Sequence, residues 1–150
     1  MRSGSNGAVP SGGAGSVLNG GAGIATLTIQ TTGDAIRFNG AVTLASNLVL
    51  DTDSTDSDSE GGAITFTSDA AIFSAATEHN NFTLDAGTSS ITFNANIGPK
   101  QSIGNFTVTE ADAGLTFGGS DVATTGSTGP VTTINTDGAI DFGTTDNVIG

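Results

Sequence analysis

The densest chemistry in the chain lies between Leu50 and Ile64. There the sequence reads Asp51-Thr52-Asp53-Ser54-Thr55-Asp56-Ser57-Asp58-Ser59-Glu60-Gly61-Gly62. Asp51, Asp53, Asp56, Asp58 and Glu60 put five carboxylates within ten residues. Hard oxygen donors at near-alternating positions suit Ca²⁺, which takes about 6–8 oxygens. These five residues are the candidate metal ligands, and Ca²⁺ is the candidate cofactor. Their order does not follow the EF-hand loop, which wants D-x-[DN]-x-[DN]-G and a closing Glu. It also lacks the Gly-Gly-x-Gly-x-Asp repeat of calcium-binding β-rolls. The competing reading is a solvated acidic loop bulging from one corner of the fold. Paired carboxylates also serve glycosidases, but the chain has no Trp or Tyr on which a sugar would stack.

The remaining reactive side chains are scattered. His79 is the single histidine and lies beside Glu78 in Thr77-Glu78-His79-Asn80-Asn81. A His–Glu pair can move protons, but no nucleophile recurs near it and it precedes a strand. A surface-loop position is expected. Arg2, Arg37 and Lys100 are the only basic side chains. Arg37 is expected to balance a neighbouring acid, and Pro99-Lys100 to sit in a turn. The Gly118-Gly119 stretch precedes no helix, so it is no phosphate loop. With no cysteine, disulfides and thiolate metal sites are excluded. No catalytic residues are assigned, and the chain is not expected to be an enzyme.

The elements that would position these residues come from a repeat. Five copies of a small–aliphatic–polar–Phe unit occur: Ala35-Ile36-Arg37-Phe38, Ala63-Ile64-Thr65-Phe66, Ser90-Ile91-Thr92-Phe93, Gly114-Leu115-Thr116-Phe117 and Ala139-Ile140-Asp141-Phe142. Their Phe residues are 28, 27, 24 and 25 positions apart. Upstream of each lies an alternating pair: Leu27/Ile29, Leu48/Leu50, Phe82/Leu84, Phe106/Val108 and Thr132/Ile134. Downstream comes one more aliphatic: Val42, Ile72, Ile97, Val122 or Val148. Alternation with period two turns one set of side chains inward and the other outward. A period of this size marks stacked repeats. One copy cannot bury its own apolar edge, whereas stacked copies share a core and pair their strands about 4.8 Å apart.

The expected fold is all-β: a right-handed parallel β-helix (β-solenoid) of about five coils with uncapped ends. The coils span 25–45, 46–75, 76–102, 103–129 and 130–150. Their inward columns are built on Ile36, Phe38, Ile64, Phe66, Ile91, Phe93, Leu115, Phe117, Ile140 and Phe142. The competing fold is a β-sandwich. Residues 1–24, rich in Gly, Ser and Ala, read as a flexible N-terminal arm. They carry no basic segment followed by an apolar one, so no signal peptide is expected in this chain. Helix is expected to be nearly absent, because no window shows a 3.6-residue period.

Net charge is −12, with an isoelectric point near 4.1. A nucleic-acid partner needs a basic footprint and is excluded. No run approaches the ~20 apolar residues of a membrane helix, so membrane insertion is not expected. Open solenoid ends carry unpaired strand edges, which template further strands. Both ends carry the same columns. Head-to-tail stacking of a second copy would be heterologous and would build a filament.

The runs Ala35–Val42, Phe82-Thr83-Leu84-Asp85-Ala86-Gly87 and Ile91-Thr92-Phe93-Asn94 resemble the repeats of giant bacterial surface proteins. These are the β-strand-repeat or filamentous-haemagglutinin-like adhesins, including autotransporter passengers. The resemblance covers about residues 25–150. It implies a right-handed parallel β-helix, an extracellular or cell-surface location and a structural or adhesive role. Those proteins are usually far longer. The expected function is a structural segment stacking end to end into a surface fibre or stalk. The alternatives are a fragment of a large ligand-binding adhesin and a β-helix carbohydrate-active enzyme. An ice-binding face would need Thr28, Thr83, Thr107 and Thr133 each to be followed two residues on by a second Thr. It fails, because the position two residues on is Gln30, Asp85, Thr109 or Asn135, and only one copy has the Thr pair.

Overall fold

A computed structural model describes residues 15–53, 61–118, 134, 136 and 138–142. The described chain is all β, with no helix. Twelve strands follow in order: β1 (Ser16–Leu18), β2 (Thr26–Gln30), β3 (Ile36–Phe38), β4 (Val42–Leu44), β5 (Asn47–Asp51), β6 (Ile64–Phe66), β7 (Ile72–Ser74), β8 (Phe82–Asp85), β9 (Ser90–Phe93), β10 (Phe106–Glu110), β11 (Gly114–Phe117) and β12 (Ile140–Asp141). They form three parallel sheets. The first sheet runs β1-β4-β7, the second β2-β5-β8-β10-β12 and the third β3-β6-β9-β11. From β1 to β9 the chain visits the three sheets in rotation, and between β9 and β10 an isolated bridge of Ile97 to Ile72 stands in line with the first sheet, an arrangement compatible with a solenoid.

The repeat register is the strand register. In the third sheet Ile36 pairs with Ile64, Ile64 with Ile91 and Ile91 with Leu115. The Phe residues pair in the same order, Phe38, Phe66, Phe93 and Phe117. In the second sheet Leu27, Leu48, Phe82 and Phe106 form one column, and Ile29, Leu50, Leu84 and Val108 the next. Alternation along each strand leaves Thr65, Thr83, Thr92 and Thr107 on the outer side. There a β-branched side chain suits the extended backbone. The core sits between the three sheets and includes Leu48, Leu50, Ile64, Phe66, Phe82, Leu84, Ile91, Phe93, Phe106 and Val108, all buried.

Strand spacing fixes the aromatic packing. Phe38 stacks on Phe66 at 5.0 Å and Phe93 on Phe117 at 5.5 Å, both pairs within 9° of parallel. Phe82 and Phe106 reach across from the second sheet. Phe82 meets Phe66 edge-on at 5.8 Å, and Phe106 meets Phe93 at 5.8 Å. Parallel rings within one column and edge contacts between columns both satisfy the ring quadrupole.

Two expectations are corrected. Ile140 pairs with Phe106, not with Leu115, and Thr107 pairs with Asp141. The fifth copy, with Ile140 and Phe142, therefore lies one sheet early, in the column of Leu27 and Leu48. Ile134, expected in the neighbouring column of Ile29 and Leu50, pairs instead with Ile97 in line with Ile72. The physical reason is that the second sheet already accepts Phe at its inward slots, so an Ile-x-Phe motif fits either sheet. The connection decides. Thr136, paired with Ile103, stands four residues before Ile140, the step that separates Leu44 from Leu48. Val122, Thr132 and Val148 lie outside the described residues.

The second correction concerns residues 16–18, expected in a flexible arm. They form β1, in register with β4 as Ser16–Val42, Val17–Thr43 and Leu18–Leu44. Leu18 packs against the core, while Val17 points outward. One inward aliphatic and a free strand edge suffice to recruit this short segment.

Candidate functional site

Three places among the described residues carry chemistry: the acidic corner after β5, the loop holding His79, and the outermost strands β1, β2 and β3. The acidic corner begins where β5 leaves the second sheet. Residues at this bend, Thr31, Thr52 and Ala86, each donate their N–H to the next circuit: Thr31 to Asp51 O, Thr52 to Asp85 O and Ala86 to Glu110 O, all at 2.9 Å. Thr52 is buried, and its hydroxyl donates to the carbonyl of Gly62 at 2.7 Å. That bond ties the two ends of the insertion together.

The last residues of the second-sheet strands form a polar row. Gln30 pairs with Asp51, Asp51 with Asp85 and Asp85 with Glu110, with a register shift between Val108 and Glu110. Like charges side by side on a ladder are unfavourable, and local hydrogen bonds offset this. Asp51 Oδ2 accepts Gln30 Nε2 at 2.8 Å. Asp51 Oδ1 accepts the N–H of Asp53 at 2.9 Å, and Asp85 Oδ1 that of Gly87 at 3.0 Å. Both are turns closed by an Asp side chain on the backbone two residues on. Asp53 is buried at the start of the insertion and forms a bridge with Thr32.

Of the five expected metal ligands, the structure thus brings Asp51 and Asp53 together. Asp56, Asp58 and Glu60 lie outside the described residues. Among the described residues, no group of three His, Asp or Glu side chains is placed to hold a metal ion.

His79 is exposed in the loop between β7 and β8, as expected. The fold supplies the hydroxyl that the sequence does not show beside it. Ser102 Oγ stands 3.1 Å from His79 Nδ1, from the next circuit. Glu78 does not complete a triad through this contact; its Oε2 accepts Asn80 Nδ2 at 2.7 Å. Thr77, at φ 68°, is the one described non-glycine residue in the left-handed region. The Ser–His contact is solvent-exposed, and so does not have the water-excluded setting that makes oxyanion stabilisation effective.

The other two basic expectations divide. Lys100 sits in the loop before β10, its Nζ 4.9 Å from the centre of the Phe73 ring. Arg37 was expected to balance an acid. It donates instead through Nε to Asn39 Oδ1 at 2.9 Å, two residues along its own chain. The outward slots beside it in register hold Thr65 and then Thr92, so its own strand offers the nearer acceptor.

One polar device was missed in the sequence. Asn47 opens β5, and Asn81 and Asn105 stand just before β8 and β10. Asn47 Oδ1 accepts the N–H of Asn81 at 2.8 Å, Asn81 Oδ1 that of Asn105 at 2.8 Å, and Asn105 Oδ1 that of Ala139 at 2.9 Å. The recurring Asn before an apolar pair was the available signal.

Among the described residues, β1, β2 and β3 are each the outermost strand of their sheet. Leu18, Leu27, Ile29, Ile36 and Phe38 pack on the core from one side and are only partly buried. Their partners one circuit on, Leu48, Leu50, Ile64 and Phe66, are at most 1% exposed. On β12, the last described strand of the second sheet on the opposite side, Ile140 is 46% exposed. No known protein family, curated protein or solved structure matches the chain. No helix among the described residues is long and apolar enough to cross a membrane.

Proposed function

We propose that this chain is a structural segment of an extracellular fibre or stalk. In this reading it is a right-handed parallel β-helix whose coils continue, end to end, into those of a second copy. The carrying observation is the difference in burial along single columns. Leu27, Ile29, Ile36 and Phe38 are partly exposed where Leu48, Leu50, Ile64 and Phe66 are sealed. One more coil on the β2–β3 side would seal them in the same way, pairing the free edges of β1, β2 and β3.

The far end supplies matching chemistry. Ile140 continues the second-sheet column that begins at Leu27, and the Phe142 ring meets that of Phe106 edge-on at 6.2 Å. A joint between these ends is heterologous and non-closing, which makes a filament rather than a ring. Resemblance to surface-adhesin repeats supports the extracellular setting. The scattered reactive groups support a structural role over a catalytic one.

Negative-stain microscopy and sedimentation of the purified chain test the reading. Fibres one solenoid wide, or head-to-tail oligomers, are expected. Ile36→Lys and Phe38→Asp, which charge the open edge, should shift the population to monomers while keeping β circular dichroism. Monomers alone for the parent chain at all concentrations would overturn self-stacking.

A further inference from the structure

We propose that the corner formed by Asp51 and Asp53 is a calcium site. Asp53 carries the argument. It is 8% exposed, and its Oδ1 lies out of reach of solvent with no hydrogen-bond partner. A carboxylate oxygen buried without a donor is costly, because its hydration is lost and nothing replaces it. Native structures remove that cost with a donor, a paired cation or a metal ion.

No side-chain cation among the described residues answers it. Arg37 is engaged by Asn39, and Lys100 lies over Phe73. Meanwhile the backbone N–H of Asp53 is given to Asp51 Oδ1 at 2.9 Å, which holds a second carboxylate at the same turn. The peptide on either side is pinned. Gly33 N–H donates to Thr52 O at 2.9 Å, and Thr52 Oγ1 holds Gly62 O at 2.7 Å. The backbone that carries the unpartnered oxygen is therefore held by the fold.

The donor set selects the ion. The donors this turn can supply are oxygens: the Asp51 and Asp53 carboxylates and the backbone carbonyls of the turn. That set favours a hard cation over zinc or copper. An irregular turn with mixed donors suits the adaptable coordination of Ca²⁺ better than the strict octahedron of Mg²⁺. With two carboxylates, the remaining positions fall to carbonyls and water. The affinity expected is that of weak extracellular calcium modules, about 10⁻⁴–10⁻³ M. The site does not depend on the stacking reading, since both carboxylates belong to one chain.

The test is calorimetric titration and thermal unfolding of the full chain, first stripped with EDTA. Calcium is then added at constant ionic strength, with NaCl as the control. One saturable Ca²⁺ per chain is expected. At calcium fifty times the dissociation constant, the folding equilibrium constant should rise about fifty-fold. Asp53→Asn should abolish the response, while Asp112→Asn, which changes an exposed acid elsewhere, should keep it. The combined variant Asp56→Asn, Asp58→Asn, Glu60→Gln should keep one bound ion. If Asp53→Asn does not fold, Asp51→Asn and the parent titration decide. The proposal is overturned by a parent that binds no Ca²⁺ saturably or by an Asp53→Asn variant that responds like the parent. A response lost only with the changes at 56, 58 and 60 would also overturn it.

Discussion

The rings of Phe66 and Phe93 lie face to face, centroids 4.8 Å apart and planes 6° from parallel. That separation is the distance between neighbouring strands in a sheet. The two residues are register partners on β6 and β9, so the backbone ladder sets the stack. Each ring is also closed in from the second sheet by Phe82. Truncating either removes packing on several sides at once. Phe66→Ala is expected to destabilise the fold by about 3–5 kcal/mol, measured by urea unfolding. Phe38→Ala, at the partly exposed end of the same column, should cost clearly less. Equal losses at the two positions would contradict the burial gradient.

The asparagine row makes a sharper claim about polar groups. Asn47 Oδ1 is the acceptor for the backbone N–H of Asn81. Asn47→Ala should cost about 1 kcal/mol, the ordinary net value of one such bond. Hydrogen exchange should locate the loss, with the Asn81 amide exchanging faster in the variant than in the parent. An unchanged Asn81 rate would show that the bond is not made in solution.

Gly62 and Gly40 should respond in opposite ways to the same substitution. A Cβ on Gly62 would fall on the backbone of Asp34 and lie 2.8 Å from Ala35 N. Backbone cannot yield as a side-chain tip can. Gly62→Ala should destabilise by more than about 2 kcal/mol, as overpacking of a close approach does. A Cβ on Gly40 meets nothing within 4 Å. Gly40→Ala should be neutral or raise stability by up to about 1 kcal/mol, through a less flexible unfolded chain. Chemical denaturation of the two variants checks the contrast.

Thr52 holds the neck of the acidic insertion. Its side chain is buried and donates to Gly62 O. Thr52→Val keeps the shape and removes the donor. The expected cost is about 1–2 kcal/mol in thermal or urea unfolding, because the Gly62 carbonyl loses a buried partner. Proteolysis between residues 53 and 61 should also quicken in this variant. An unchanged cleavage rate would mean that the neck is held by other contacts.

Much of this architecture was legible in the sequence for a simple reason. Ile36, Ile64, Ile91 and Leu115 recur beside Phe38, Phe66, Phe93 and Phe117 because parallel register places like on like. A column in space is therefore a period along the chain. The acidic corner was legible as a concentration of charge. What the charge count could not convey was that Asp53 is buried and Asp51 is tied to Gln30. The His79–Ser102 contact and the asparagine row were hidden for the same reason. Each joins residues a circuit apart through bonds that local propensity does not encode.

The sequence by itself determined the kind of structure. Period-two alternation requires strands, and recurring apolar positions with no charged substitute require those strands to stack in register. The tertiary structure alone decided which sheet each late strand joins. Ile140 and Phe142 match the third-sheet motif residue for residue, yet Ile140 pairs with Phe106. A motif records which side chains point inward, and both sheets ask for the same ones. The choice between them depends on where the chain emerges after Ile134 pairs with Ile97 and Thr136 with Ile103. That is a property of the connection in three dimensions, and no single window of residues contains it.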